Sequence, residues 1–278
     1  MTNPIADPLV ENIDTDATSS LVRIEATQDG VATITINSPA TKNAFDSFVI
    51  AALAEAFETM HGAEGVRVVF LQGEGGMFSA GANLEWMAAA ATLSESDNRE
   101  DAMAMARMLK ALWDIPALTV AIVEGGAFGG GAGLAAACDL AVAVDGARFS
   151  FAEVRLGLVA ATISPYVVRA IGPRHARALF ATGRAFDVAH AEKIGLVSEV
   201  IRVGEVEMLK ARIGREMMAC APGAVAESKQ LVDEVFGRSI DHGLMEATAR
   251  RIAARRVGDE AREGVAAFIG RRKPSWNE

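Results

Sequence analysis

Two glycine-containing turns constrain this chain more than any other feature. Each sits between an apolar strand pattern and a helix pattern. The first is Phe78-Ser79-Ala80-Gly81-Ala82-Asn83-Leu84; the second is Ala127-Phe128-Gly129-Gly130-Gly131-Ala132-Gly133-Leu134. The first N–H groups of a helix have no intrahelical acceptor, so such a turn can present them to an anionic oxygen. The residues must be small, because the backbone itself approaches the ligand. A carboxylate follows in Phe151-Ala152-Glu153-Val154-Arg155-Leu156-Gly157.

The surrounding pattern reads as an α/β chain. Val31–Ile36 alternates β-branched residues and predicts a strand, which Asn37-Ser38-Pro39 ends. Phe45, Phe48, Val49, Leu53, Phe57 and Met60 fall at helical spacing. Apolar strands are expected over 66–71, 118–123 and 140–144, with a helix rich in Ala and Met over 100–113 between the first two. Strand, glycine turn, helix and strand recur, which predicts parallel pairing with crossover helices. After Ser164 the chain reads as mostly helical, with one late strand over 197–201. The expected organisation is a disordered lead over 1–20, a core over 21–205, and a helical C-terminal region over 206–278.

Composition excludes several classes. The chain has 278 residues, is 51% hydrophobic and carries a net charge of −9. That supports a sizeable core and argues against general nucleic-acid binding. Residues 1–20 hold Asp7, Glu11, Asp14 and Asp16 but no Lys or Arg, unlike a secretory or mitochondrial leader. No apolar run approaches the ~20 residues of a membrane helix. Cys138 and Cys220 lack CxxC or metal-ligand spacing, which fits a reducing, cytoplasmic setting. His61, His175, His190 and His242 show no zinc pattern. The glycine run has neither GxGxxG spacing nor a following Lys-Ser/Thr.

Two preorganised N–H donors suit a carbonyl oxygen that gains negative charge, as an acyl thioester does on becoming an enolate. A pair of close helix–strand packing turns would look similar in sequence, and either turn alone leaves both readings open.

Taken together, these residues resemble the crotonase superfamily of enoyl-CoA hydratases and isomerases. The likeness runs from about residue 22 to the C-terminus. It is carried by both turns, Asn43-Ala44-Phe45, Ala137-Cys138-Asp139-Leu140, Glu153, Gly195-Leu196-Val197 and Arg271-Arg272-Lys273-Pro274-Ser275-Trp276. The resemblance implies a spiral of ββα turns with two nearly perpendicular sheets and a helical C-terminal region. It also implies homotrimers that often pair into hexamers. The oxyanion donors would be the N–H groups of Ala82 and Gly130, and Glu153 would move the proton. Lys42, Ala44, Ala80, Asn83 and Leu84 would line the coenzyme A path, Gly133 would border the acyl group, and Lys273 would meet a coenzyme A phosphate. Coenzyme A enters as part of the substrate; no metal or redox cofactor is implied.

The chain departs from the family at one informative place. Two-carboxylate hydratases carry a glutamate where this chain has Gly133, and only Glu153 is kept. The missing side chain is expected to leave room for a bulkier acyl branch. The motifs resemble single-glutamate bacterial hydratases acting on methylglutaconyl-type or other branched enoyl-CoA esters. Hydration is favoured, an isomerase using the same residues is the runner-up, and a non-catalytic acyl-CoA-binding homologue is the third reading. Arg155 reads as a structural side chain, with contact to a substrate carboxylate as the alternative.

Overall fold

The computed structural model describes residues 21–277, so the expected disordered lead over 1–20 lies outside the described residues. The chain forms two compact units, one ending at Ala211 and the other beginning at Arg212.

The first unit is built on a six-stranded sheet. Strands β1 (Val22–Ala26) and β2 (Val31–Ile36) form an antiparallel hairpin. Its tight turn needs Gly30 at φ +74°. Next come β3 (Val68–Gly73), β4 (Leu118–Val123), β6 (Leu140–Val144) and β9 (Glu199–Ile201), each parallel to its neighbour, in the order β1-β2-β3-β4-β6-β9. The central strands are apolar on both faces because both faces are covered. A second sheet joins β5 (Gly126–Phe128), β7 (Arg148–Ser150) and β8 (Phe186–Asp187), with β5 parallel to β7.

Helix α1 (Ser47–Gly62) packs on the β1–β2 side of the large sheet, and α3 (Glu95–Asp114) packs against α1. They bury Leu53, Phe57 and Met60 from one and Met108, Leu109 and Leu112 from the other. Between them in sequence lies the short α2 (Leu84–Ala90). The small-residue helix α4 (Gly130–Ala137) is almost entirely buried. Helices α5 (Ser164–Thr182) and α6 (Val188–Lys193) follow, α5 being interrupted at Gly172 (φ +72°) just before Pro173. These elements make the expected α/β architecture, with its parallel crossovers.

Several boundaries differ from the sequence reading for identifiable reasons. The first helix starts at Ser47, not Phe45, because the Asp46 carboxylate caps it, accepting from Phe48 N (3.0 Å) and Val49 N (2.9 Å). Phe45 is thereby left extended and available for pairing. Helix α3 begins earlier than expected, at Glu95, because the Ser94 hydroxyl caps it. The late strand is shorter than expected and forms an edge of the large sheet. Strands β5, β7 and β8 are too short to show a periodic pattern.

Helix α7 (Val206–Met218) crosses the division between the units. Beyond it the second unit holds α8 (Pro222–Val235), α9 (His242–Arg256) and α10 (Asp259–Ile269). The Glu260 carboxylate accepts from Gly223 N (2.8 Å) and Ala224 N (3.0 Å), capping α8, and also pairs with Arg255. Arg251 pairs with Glu234 at 2.6 Å and Arg272 with Glu263 at 2.6 Å. Much of the basic C-terminal charge is therefore engaged inside its own unit. No helix among the described residues is long and apolar enough to cross a membrane.

Candidate active site

The first turn is fastened by one buried amide. Asn43 is fully buried and left-handed, with φ +56°. Its Nδ2 donates to the carbonyls of Glu74 (2.9 Å) and Met77 (2.6 Å), and its Oδ1 accepts from Ser38 N (2.9 Å). The Asn43 carbonyl accepts from Ser79 Oγ at 2.8 Å, and Ser79 Oγ in turn accepts from Gly81 N at 3.1 Å. Phe45 completes the frame: its N–H donates to Gly81 O (2.7 Å) and its carbonyl accepts from Asn83 N (2.7 Å). Phe45 thus bridges Ala82 in parallel fashion, bonding to the residues on either side of it. The N–H of Ala82 then points away from Phe45. It has no acceptor among the described residues.

The second turn is held by both neighbouring strands. Ser79 N donates to Gly126 O (3.2 Å), Phe128 N to Ser79 O (3.0 Å), and Gly129 N to Ser150 O (2.9 Å). Gly129 adopts φ +49° and ψ −117°, a conformation that favours glycine, and α4 starts immediately after it. The N–H of Gly130, the first residue of α4, also has no acceptor among the described residues. The two turns touch: a Cβ added at Gly81 (φ +86°) would stand 2.7 Å from Phe128 O and 3.8 Å from Gly129 Cα. At Gly130 a Cβ would meet Phe45 Cδ2 at 2.9 Å, and at Gly131 it would meet Ser79 Cβ at 2.7 Å. Both unclaimed donors therefore belong to one close-packed backbone frame.

Glu153 is delivered to that frame by the β5–β7 ladder. Phe128 pairs with Ser150, and Glu153 opens a single 3₁₀ turn, Glu153–Leu156, three residues later. Phe151, between them, packs edge-on to Phe180 and anchors the segment. A Cβ on Gly129 would lie 3.1 Å from Glu153 Oε1, so the carboxylate sits against the glycine turn. Glu153 Oε2 is buried with no hydrogen-bond partner among the described residues. Burial raises the carboxyl above its ordinary 4.5, while its own backbone N–H pulls weakly the other way. A carboxylate that holds its proton more tightly, beside two unclaimed N–H donors, can take a proton and return it next to a developing oxyanion.

The other expected residues separate into groups. Lys42, Ala44, Ala80, Asn83 and Leu84 lie on the segments that frame the first turn. Lys42 is exposed and left-handed (φ +56°), and its carbonyl accepts from Ala80 N at 2.9 Å. Ala44 is buried, while Leu84 is 72% exposed. The Asn83 Oδ1 is committed to capping α2, accepting from Glu85 N (2.8 Å) and Trp86 N (3.2 Å). Arg155 is exposed, and its Cγ lies 3.2 Å from where a Cβ on Gly183 would be. Lys273 is exposed in the second unit.

Gly133 corrects an expectation. The volume left by its missing side chain is not open. A Cβ at Gly133 would fall 2.6 Å from Ile163 Cβ, with Ile163 Cγ2 closer still, and Ile163 is only 2% exposed. The absent glutamate has been replaced by an isoleucine branch from another element, not by space.

The positioning roles of Asn43 and Ser79, and the packing role of Ile163, were missed by residue-level reading. A left-handed Asn just ahead of the first helix carries a weak sequence signal. The Ile163 contact carries none, being a meeting of positions 30 residues apart.

The profile of the enoyl-CoA hydratase/isomerase family matches residues 26–278. A solved Legionella pneumophila structure, provisionally named an enoyl-CoA hydratase/isomerase (crotonase), is 40% identical. It covers 94% of this chain and 100% of its own, with a TM-score of 0.87. An enoyl-CoA hydratase from Shewanella pealeana is 32% identical, covers 92% of this chain and 96% of its own, and has a TM-score of 0.89. A Thermus thermophilus protein, provisionally named an enoyl-CoA hydratase, is 32% identical over 253 residues, 91% of this chain and 100% of its own. The chain belongs to the enoyl-CoA hydratase/isomerase family and has the crotonase fold.

Proposed function

We propose that this protein is a single-glutamate enoyl-CoA hydratase, adding water across the double bond of a 2-enoyl-CoA thioester. The observation that carries the reading is the Glu153 carboxylate, held with an unpartnered buried oxygen against the turn that offers the Gly130 N–H. Glu153 takes a proton from water as the water oxygen bonds to the β-carbon. The electron pair of the double bond moves toward the thioester oxygen, where the Ala82 and Gly130 N–H groups stabilise the enolate. Glu153 then returns its proton to the α-carbon, closing the cycle with one carboxylate. Coenzyme A is part of the substrate, and no further cofactor enters these steps.

The other expected residues divide the remaining work. Lys42, Ala44, Ala80, Asn83 and Leu84 would flank the coenzyme A moiety, and Lys273 would contact a phosphate. Assembly into trimers or hexamers belongs to the same reading and is measured by light scattering. The preference for branched or carboxylated acyl groups rests on the likeness of the motifs to single-glutamate hydratases; extra room at Gly133 does not support it.

One observation favours a second reading. With Ile163 where a side chain at 133 would stand, no second carboxylate comes from that position to orient water. An isomerase needs just one: Glu153 removes a proton from one carbon and delivers it to another through the same enolate.

The deciding experiment incubates the protein and its Glu153→Gln variant with 2-enoyl- and 3-enoyl-CoA esters in oxygen-18 water. A heavy-oxygen hydroxyacyl product that disappears in the variant supports the hydratase. Double-bond migration without heavy oxygen supports the isomerase. Thioester binding with no turnover on any ester refutes both and leaves the non-catalytic binding homologue.

A further inference from the structure

Phe45 touches both glycine turns, one with its backbone and the other with its ring. Its N–H donates to Gly81 O and its carbonyl accepts from Asn83 N, each at 2.7 Å, so its main chain clasps Ala82 from both sides. A Cβ on Gly130 would stand 2.9 Å from Phe45 Cδ2 and 3.0 Å from Phe45 Cε2. The Gly130 Cα is one C–C bond, about 1.5 Å, behind that point. The ring edge is therefore in apolar contact with the Gly130 backbone. Met105, on α3, brings its ε-methyl to 3.0 Å from the same point. In the sequence, residue 130 is small so that a ligand can approach. In the fold, the place a Cβ would take is already held by Phe45 and Met105. The methionine has three rotatable bonds and can yield. The aromatic ring is rigid and only 1% exposed, and its main chain is pinned to the first turn.

We propose that Phe45 is a positioning residue that sets the spacing of the two oxyanion donors, the N–H groups of Ala82 and Gly130. The inference rests on the thioester reading above. Two donors act together only when both reach one oxygen, and a hydrogen bond weakens steeply as its geometry departs from the optimum. Without the ring, the first turn of α4 can settle into the vacated space, carrying the Gly130 N–H away from its place relative to Ala82.

Three variants separate spacing from stability. Phe45→Val removes both ring atoms that meet the Gly130 position and keeps a β-branched residue suited to extended backbone. Phe45→Leu retains a δ-carbon and should be the milder change. Phe57→Val makes the same truncation at a fully buried ring farther along α1 and reports what a core cavity does by itself. All are measured well below their melting midpoints.

The probe is butyryl-CoA labelled with carbon-13 at its thioester carbonyl, which has no double bond to hydrate. Difference infrared spectroscopy reads the carbonyl stretch, which falls as the oxygen accepts stronger hydrogen bonds. Wild type and Phe57→Val should show the same downshift on binding. Phe45→Val should lose most of it, with Phe45→Leu between. For a 2-enoyl-CoA that the wild type turns over, kcat of Phe45→Val should fall roughly tenfold to a hundredfold with KM within about threefold. An undiminished downshift in Phe45→Val, or an equal loss in Phe57→Val, overturns the positioning role and leaves the oxyanion reading standing. No downshift in the wild type refutes the oxyanion reading itself, and the positioning role with it. Should Phe45→Val not fold, Phe45→Leu against Phe57→Leu decides by the same shift.

Discussion

Replacing Asn43 should unfasten the oxyanion frame without touching any proposed reacting atom. Its side chain satisfies Ser38 N–H and the carbonyls of Glu74 and Met77, at 2.9, 2.9 and 2.6 Å. Removing the amide orphans three backbone groups. Each costs ~1–3 kcal/mol when shut off from water. All three residues are only half-buried, so the low end applies and the total is about 3 kcal/mol. Asn43→Gly reports this loss nearly alone, because glycine tolerates φ +56°. Asn43→Ala adds the left-handed penalty of ~1–2 kcal/mol and should be the less stable of the two. Asn43→Asp keeps the acceptor for Ser38 N–H but sets a carboxylate against two carbonyl oxygens. Its folded pKa would be raised, so its stability should fall as pH rises from the unfolded value through the folded one. Urea unfolding followed by circular dichroism measures all three, and a loss of ~3 kcal/mol corresponds to a midpoint drop of about 6–12 °C in a unit of this size. Because Asn43 O also holds Ser79 Oγ, which receives Gly81 N–H, kcat should fall with little change in KM. Asn43→Gly within ~1 kcal/mol of wild type would refute the assignment of this amide as the fastener.

The remaining predictions address the frame, the carboxylate and the tail. Gly81→Ala places a Cβ 2.7 Å from Phe128 O at φ +86°; the turns should separate and kcat drop by ~10²–10³, and a wild-type kcat would count against the two-turn frame. Glu153→Gln should abolish nearly all turnover, by ~10² or more, while leaving the melting midpoint at neutral pH unchanged or higher, because no charge is then buried. The folded pKa of Glu153 is raised, so the native state holds more protons. Its contribution to stability is complete below the unfolded value near 4.5 and is lost as pH rises through the folded one. A pH titration of Tm should show that loss in the wild type and not in Glu153→Gln. Glu263 shows the opposite sign: Arg272, and then Ser275 N–H, hold its carboxyl down at about 2 from an ordinary 4.5. Attachment of the C-terminal tail should persist from neutral pH to below 4.5 and fail as pH approaches about 2, read by Trp276 fluorescence. Loss of the signal already above 4.5 would reject the pairing. Neutralising Lys273 should raise the apparent KM with kcat largely unchanged, and a fall in kcat alone would reject its phosphate role.

The sequence by itself determined the elements whose patterns are local and repeated. Val31–Ile36, Leu118–Val123 and Leu140–Val144 alternate or run apolar over five or six residues, long enough to declare strands to be covered on both faces. The small residues of both turns likewise marked where backbone would approach a ligand, and the family motifs singled out Glu153. Tertiary structure decided everything that depends on residues distant in sequence. Strands β5 and β7 are three residues each and exist because they pair with one another; that pairing brings Glu153 to the glycine turn. Phe45 leaves its helical pattern because Asp46 caps the helix and Ala82 offers a partner. The gap at Gly133 looked like free volume in the sequence, where an absent side chain leaves only space. In the folded chain that volume had a second claimant, Ile163, because close-packed interiors leave no cavity the size of a side chain unfilled.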